Sequence, residues 1–409
     1  MKDKIISLEN FKQAYLKMTN DMELDGRARR YRGWDNLKLH DIETNASEII
    51  TSARQELIGL KPLSPALLLT IPKRGAPHKL REIFVYNLKD RIKAQAVYQV
   101  LEPLFNERFS PYLFSYRSSH NSYFAARSAV RHYRKYWQRD SVLVTDISDY
   151  TGNIQHEALK EKIRNLNWGE EVEKILFLFI GNATIREGKI INPTVGVVQG
   201  VPLVPVFYNL YLNDFDKKVG PAVDFYRRVG DDLIAFDQKV GRIDKLKKAL
   251  EQEVKKSGLK LHPDKTNIQP ASRSFNFLGY HFFEGNISLP PKYHKSLVKR
   301  WQQNFVNRSF RSNQHRLRFV QILNNSKDPS KQGIKEQIKQ LVLQKNLISD
   351  SQPFARLSED FFHLLTRYLF KTYTPRNRRL LKKKTKKIAP ISIYHKFINT
   401  RHGVISRKN

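Results

Sequence analysis

The chain has 409 residues and no cysteine, which excludes disulfides and thiolate zinc sites. Lysine and arginine number 73 against 39 aspartates and glutamates, a formal charge of +34, and such an excess calls for a polyanionic partner. No apolar run approaches the ~18 residues of a membrane span, and the opening MKDKIISLENFKQAYLK has acids and no signal-peptide core, so the expectation is a cytoplasmic protein without a membrane partner.

Residues 1–66 read as mostly helical, with a basic cluster GRARRYRGW at 26–34. In NASEIITSARQELIGL (45–60), a helix capped near Asn45 would carry Ile49, Ile50, Ala53, Leu57 and Leu60 on one face. LLLTIPKRGAPHKLREIFVY (67–86) reads as two strands around a basic loop containing Gly and Pro. Helices are expected over 87–105 and 121–138. In VLVTDISDY (142–150), Val142, Leu143, Val144 and Ile147 make a buried strand with Asp146 near its C-terminal end. A carboxylate there costs desolvation energy unless something compensates it. Asp149, three residues on, is expected to face solvent. NIQHEALKEKIRNL (153–166) reads as a turn and an amphipathic helix, with His156 a structural residue at its start. FYRRVGDDLIAF (225–236) is a β-hairpin whose turn carries Asp231 and Asp232. Beyond Pro290 and Pro291 the pattern becomes helical and basic to about residue 372, and a charge-dense tail follows.

Adjacent carboxylates held against an apolar sheet repel each other and lose solvation, so a divalent cation is the natural remedy. A strand-end aspartate followed much later by a hairpin Asp-Asp suits two-metal phosphoryl transfer. Two Mg²⁺ ions about 3.5–4 Å apart would activate a hydroxyl and steady the leaving group, with Mn²⁺ as the alternative ion.

The order of motifs resembles the palm of reverse transcriptases, especially the bacterial group II intron and retron-like lineages. Residues 71–111 look like the fingers segment, with Asp90-Arg91-Ile92, Gln95, Leu101-Glu102-Pro103 and Phe109-Ser110-Pro111 at family spacing. SYRSSHNS (115–122) is similar to the family's Tyr-Gly-Phe-Arg-Pro stretch. Asp146 opens the first catalytic motif, with Asn153, Ile154 and His156 in register. GVVQGVPLVPVFYNLYL (196–212) resembles the Gln-Gly motif, LKLHPDKTNI (259–268) and FNFLGYHFF (275–283) the last two palm motifs. The resemblance covers roughly residues 26–285.

The resemblance implies an α+β right-hand polymerase with a ferredoxin-like palm, fingers and a helical thumb. Its divisions would be an N-terminal helical extension (1–66), fingers and palm (67–285), thumb (286–372) and basic tail (373–409). The implied enzyme is an RNA-directed DNA polymerase taking an RNA template and dNTPs and making DNA, with homo- or hetero-oligomers left open. Asp146, Asp231, Asp232 and the Ile147 carbonyl would hold metal. Lys73, Arg81, Tyr150, Thr151, Gln199, Gly200 and Lys265 would line the nucleotide site, with Lys265 near the pyrophosphate exit. Arg117, the primer-grip residues Phe277, Leu278 and Gly279, and Arg378, Arg379 and Lys383 of the tail would contact nucleic acid.

Three departures touch the nucleotide pocket and none removes a metal ligand. Val229-Gly230 stands where members carry Tyr-Ala, and Val204 where they carry Ser before a proline. Tyr150 and Thr151 stand where members carry two aromatics, of which one crowds the ribose 2′ position. No His-Asn-His-type endonuclease segment follows the thumb region. By family analogy the expectation is a stand-alone enzyme copying a dedicated structured non-coding RNA in phage defence. An intron maturase, and an RNA-binding scaffold without synthesis, are the alternatives.

Overall fold

The computed structural model describes residues 1–24, 39–73, 76–117 and 120–306, and beyond these only scattered positions between 347 and 379. The chain divides into two units, Met1–Ala125 with Asp140–Pro270, and Ala126–Arg139 with Ala271–Asn409.

The first unit begins with four helices, α1 (Lys2–Ile5), α2 (Leu8–Leu24), α3 (Leu39–Thr44) and α4 (Ala46–Ile58). Helix α4 follows Asn45 and buries Ile49, Ile50, Ala53 and Leu57, the predicted face. Leu60 leaves that face. The helix closes at Gly59, Leu60 takes a left-handed φ of 50°, and the Lys61 N–H returns to the Glu56 carbonyl. This is the usual left-handed helix ending, built here without glycine at the left-handed residue.

Strands β1 (Ala66–Lys73) and β2 (Ala76–Val85) form an antiparallel ribbon, with Leu69 opposite Ile83 and Ile71 opposite Arg81. Helix α5 (Leu88–Arg108) starts where the Asn87 side chain accepts the Asp90 N–H, an N-cap contact. Helix α6 (Ser122–Tyr136) leads to β3 (Ser141–Ser148), the strand that carries Asp146. Helices α7 (His156–Arg164) and α8 (Glu170–Phe177) follow, then a short hairpin of β4 (Thr184–Arg186) and β5 (Lys189–Ile191). That hairpin extends the first ribbon into a four-stranded sheet of order β2-β1-β4-β5, the fingers sheet.

Helix α9 (Leu203–Tyr211) buries all of its residues except Pro205, so it lies inside the core. Next come α10 (Asn213–Val219), β6 (Phe225–Val229), β7 (Asp232–Asp237), α11 (Val240–Lys256), β8 (Lys260–Leu261) and β9 (Asn267–Pro270). The palm sheet has the order β6-β7-β3-β8, and β9 pairs β3 on the same edge as β8. Helix α11 packs on β3 and β7 through Ile243, Leu246, Leu250 and Val254. One buried apolar cluster joins the N-terminal helices, α5, β3, α7, α8, α9 and α11. The result is an α+β fold of the right-hand polymerase class.

In the second unit, β10 (Phe275–Phe277), β11 (Tyr280–Phe283) and β12 (Asn286–Ser288) form an antiparallel sheet, and α12 (Pro291–Val306) follows. Tyr133 packs edge-on against Phe275 and Phe282, and its hydroxyl accepts the Gly285 N–H at 3.2 Å. This aromatic seam ties the 271–285 segment to α6 within the second unit. Among the described residues no helix is long and apolar enough to cross a membrane. Most of the expected thumb and nearly all of the tail, Arg378 and Lys383 included, lie outside the described residues, whereas Arg379 is described as exposed.

Candidate active site

The three aspartates meet at one end of the palm sheet. Strands β3 and β7 run antiparallel with Asp146 directly opposite Asp232, so the two carboxylates leave the same face. Val229 pairs with Asp232, leaving Gly230 and Asp231 as a two-residue turn. Gly230 has φ 64°, while Asp231 is not left-handed, the pattern of a type II′ turn with glycine first. A Cβ on Gly230 would meet nothing within 4 Å, so the need for glycine here is conformational, not steric. The Ile147 N–H donates to the Asp231 carbonyl at 3.1 Å, which ties the turn to β3, and the Ile147 side chain is buried.

The electrostatics of this face are unfavourable without a cation. Burial, then the charges of Asp231 and Asp146, push the Asp232 carboxyl up to about 6, against the opposing pull of Lys265. Asp231 is exposed at the turn, yet desolvation by the protein around it raises its carboxyl too, and Asp146 adds to the effect. Lys265, on the 3₁₀ turn Pro263–Lys265, places Nζ 2.8 Å from Asp146 Oδ2. Among the described residues no three acidic or imidazole groups form a ready-made metal cage. What fits a divalent cation is the charge instead: Asp146 raises the carboxyls of Asp231 and Asp232, Asp231 adds to the rise at Asp232, and a cation would relieve that repulsion.

The other expected site residues divide into groups. Gln199 Nε2 donates to Thr151 Oγ1 at 2.6 Å, so these two stand side by side. Gly200 has φ 122°, and a Cβ there would lie 2.7 Å from the Phe84 carbonyl oxygen. The turn before α9 thus touches the fingers strand β2 directly. Tyr150 is buried, and its hydroxyl donates to the Tyr208 carbonyl at 2.6 Å. It cannot take the place of an aromatic gate from that position. Lys73 closes β1, and Arg81 is exposed on β2. Phe277, Leu278 and Gly279 belong to the second unit. Phe277 is buried there, and Leu278 and Gly279 form the left-handed turn between β10 and β11.

Arg117 is committed elsewhere. Its guanidinium donates to the Asn106 side chain and to the Asn106, Ser110 and Leu113 carbonyls, at 2.9–3.1 Å. These contacts tie it to the end of α5 and to the 110–113 segment. His156 Nε2 lies 2.7 Å from the Gly196 carbonyl, a structural contact as expected, and Asp149 is exposed.

Sequence reasoning missed the residues under the turn. Arg228, Asp216 and Tyr226 are fully buried and hydrogen-bonded together. The available clue was strand alternation: Tyr226 and Arg228 share one face of β6, so an inward tyrosine implies an inward, paired arginine.

A carboxylate-bearing hairpin beside a strand-end aspartate defines the catalytic palm of a template-directed nucleotidyltransferase. The chain belongs to the reverse transcriptase (RNA-dependent DNA polymerase) family, whose model matches residues 71–282. It is similar to Protein YkfC of Escherichia coli strain K12, with 24% identity over 273 residues, covering 56% of this chain and 69% of YkfC. Among solved structures it is similar to a Candida albicans telomerase in complex with a TWJ fragment of telomeric RNA. There the TM-score is 0.46 at 12% identity, over 81% of this chain and 63% of that one. Apo telomerase from Candida tropicalis gives a TM-score of 0.45 at 14% identity, over 82% of this chain and 66% of that one. The chain thus spans less than two thirds of either telomerase chain.

Proposed function

We propose that the chain is an RNA-directed DNA polymerase working by a two-metal mechanism. The observation that carries this reading is the Asp146–Asp232 cross-strand pair with Asp231 in the adjoining turn. Asp146, Asp231 and Asp232 would hold the two divalent cations, with the Ile147 carbonyl as the further ligand. When bound, those ions supply charge neutralisation at the transferring phosphate and lower the pKa of the attacking hydroxyl.

The remaining roles fall to this chain's own groups. Lys265 is poised beside Asp146 and exposed enough to swing toward a leaving pyrophosphate, where an ammonium group can donate a proton. Lys73 and Arg81, on the fingers ribbon, would meet the β- and γ-phosphates of a dNTP. Thr151 and Gln199 would stand beside the sugar and base. The +34 charge favours a structured RNA as the template-bearing partner. The setting we propose is a cytoplasmic enzyme copying its own non-coding RNA in antiviral defence. The resemblance to retron-like lineages and the altered pocket at Thr151, Val204 and Gly230 support that setting.

Asp231→Asn with Asp232→Asn is expected to reduce dNTP incorporation on a primed RNA by at least about 10³-fold, several kcal/mol of transition-state stabilisation. RNA affinity should stay near that of the parent. Unchanged incorporation by the well-folded double variant would overturn the polymerase reading. Sequencing the nucleic acid that co-purifies tests the setting, since an intron transcript in place of a compact non-coding RNA would favour a maturase.

A further inference from the structure

Below the Gly230–Asp231 turn lies an ion pair that the chemistry above does not use. Arg228 and Asp216 have side-chain exposures of 0% each. Arg228 Nη2 lies 2.6 Å from Asp216 Oδ2, and Nε lies 2.9 and 3.0 Å from the two carboxylate oxygens. Nη2 also donates to the Asn209 carbonyl at 3.2 Å. Nη1 turns the other way and donates to the Gly230 carbonyl at 2.9 Å. The Tyr226 hydroxyl donates to Asp216 Oδ1 at 2.7 Å. On the far side, the Gly230 N–H donates to the Ser115 hydroxyl. The Ser115 carbonyl in turn accepts from the Asn209 amide at 2.8 Å. Side chains therefore hold both the N–H and the C=O of Gly230.

Stability alone does not call for charges in this place. Burying two ions costs several kcal/mol each, and apolar replacements of similar volume are often neutral or stabilising. An apolar pair cannot, however, orient a carbonyl. The guanidinium is a rigid planar fork: one edge grips the carboxylate while another donor reaches the peptide that leads into Asp231. Gly230 needs such restraint, because glycine has the widest choice of backbone conformations and is the residue just before the acid.

We propose that Arg228, oriented by Asp216 and acting with Ser115, is a positioning residue. It clamps the Gly230–Asp231 peptide so that the Asp231 carboxylate is set beside Asp146 and Asp232 before cation and nucleotide arrive. The inference rests on the polymerase reading. Displacing a reacting group by about 1 Å can cost about 10²-fold in rate, which sets the size of the expected effect.

The test uses the full chain with Mn²⁺ as probe, free and bound ion being separated by electron paramagnetic resonance. Arg228→Met with Asp216→Leu removes both charges together and keeps the volume. It is expected to unfold near the parent's temperature, to bind Mn²⁺ about tenfold more weakly and to lose about 10²-fold in kcat with KM for dNTP unchanged. Arg228→Lys keeps a charge opposite Asp216 but loses the fork, so it should show the same split. A purely structural pair would instead lower activity only in step with the folded fraction. Parental Mn²⁺ affinity and kcat in either folded variant would overturn the proposal. Should both fail to fold, Ser115→Ala opens the other half of the clamp without burying a charge. Weaker Mn²⁺ binding at an unchanged unfolding temperature supports the clamp there, and parental binding overturns it. A parent that binds Mn²⁺ but incorporates no nucleotide counts against the polymerase reading alone, and the Mn²⁺ arm still decides the clamp.

Discussion

Strand β7 of the palm and strand β1 of the fingers are built from the same kind of residue and end in different environments. Leu233, Ile234, Ala235 and Phe236 of β7 are all 0% exposed. On β1, Leu69 and Ile71 are 45% and 43% exposed, and Ile83, opposite Leu69 on β2, is 37% exposed. Successive side chains of a strand point to opposite faces, so four buried in a row mean that both faces of β7 are covered, with α11 packed against it. The fingers sheet packs one face, through Ala66, Phe84 and Thr184, and leaves the aliphatic face open. The charges divide less cleanly. The Arg228–Asp216 pair of the palm and the Lys93–Asp90 pair of α5 are both sealed from water, whereas Arg186–Glu82 on the fingers sheet is open to it. A dry sheet holds the acids, and the fingers sheet leaves one aliphatic face open to solvent.

The comparison breaks most visibly on truncation. Leu233→Ala should destabilise the chain by about 2–5 kcal/mol, the range for a buried leucine, while Leu69→Ala should cost about 0.5 kcal/mol or less. Paired urea melts decide it, and equal losses would mean that the open face of the fingers is covered in solution. The seam between the two regions comes next. Gly200→Ala puts a Cβ 2.7 Å from the Phe84 carbonyl at a φ of 122°, so a loss of about 2 kcal/mol is expected, with incorporation falling as β2 is pushed away.

Thr151 sharpens the comparison at the nucleotide. With Tyr150 buried, Thr151→Phe places the only new aromatic beside Gln199, and the preference for dNTP over NTP should rise by about tenfold, near 1.4 kcal/mol. Identical ratios in a competition assay would place sugar selection elsewhere. The smallest effect is a pH dependence where α4 meets α5. Burial raises the Glu56 carboxyl, but hydrogen bonds and charge from Lys89 and Lys93 outweigh it and hold the group at about 2, below its ordinary 4.5. A depressed carboxyl contributes stability that is complete above about 4.5 and is lost as pH falls toward 2. Protection factors of the α4 and α5 amides, corrected for the intrinsic slowing of exchange in acid, should therefore fall between pH 5 and pH 3 in the parent and much less in Glu56→Gln, by about 1 kcal/mol or below because the group is partly solvated.

Much of the site was legible because it is local. Strand, turn and acids lie within a few residues of each other in 142–150 and 225–236, and strand period and turn chemistry are properties of neighbours in the chain. Arg117 shows the opposite case. Its acceptors lie at the end of α5 and in 110–113, which nothing in residues 115–122 discloses, and an arginine bound to carbonyls is written the same way as one awaiting a phosphate. The α4 helix shows the limit within a single element, since Leu60 fits the apolar period but follows the glycine that ends the helix.

By itself the sequence determined the fold class, the order of the elements and the three acids, because periodicity, glycine turns and paired carboxylates act over short stretches of chain. Only the tertiary structure decided that Asp146 faces Asp232, that Tyr150 is sealed against Tyr208 and that Arg228 reaches Asp216 and Gly230 at once. Each of these depends on which groups lose water together. Desolvation is set by the packing of distant segments, and no short stretch of chain records it.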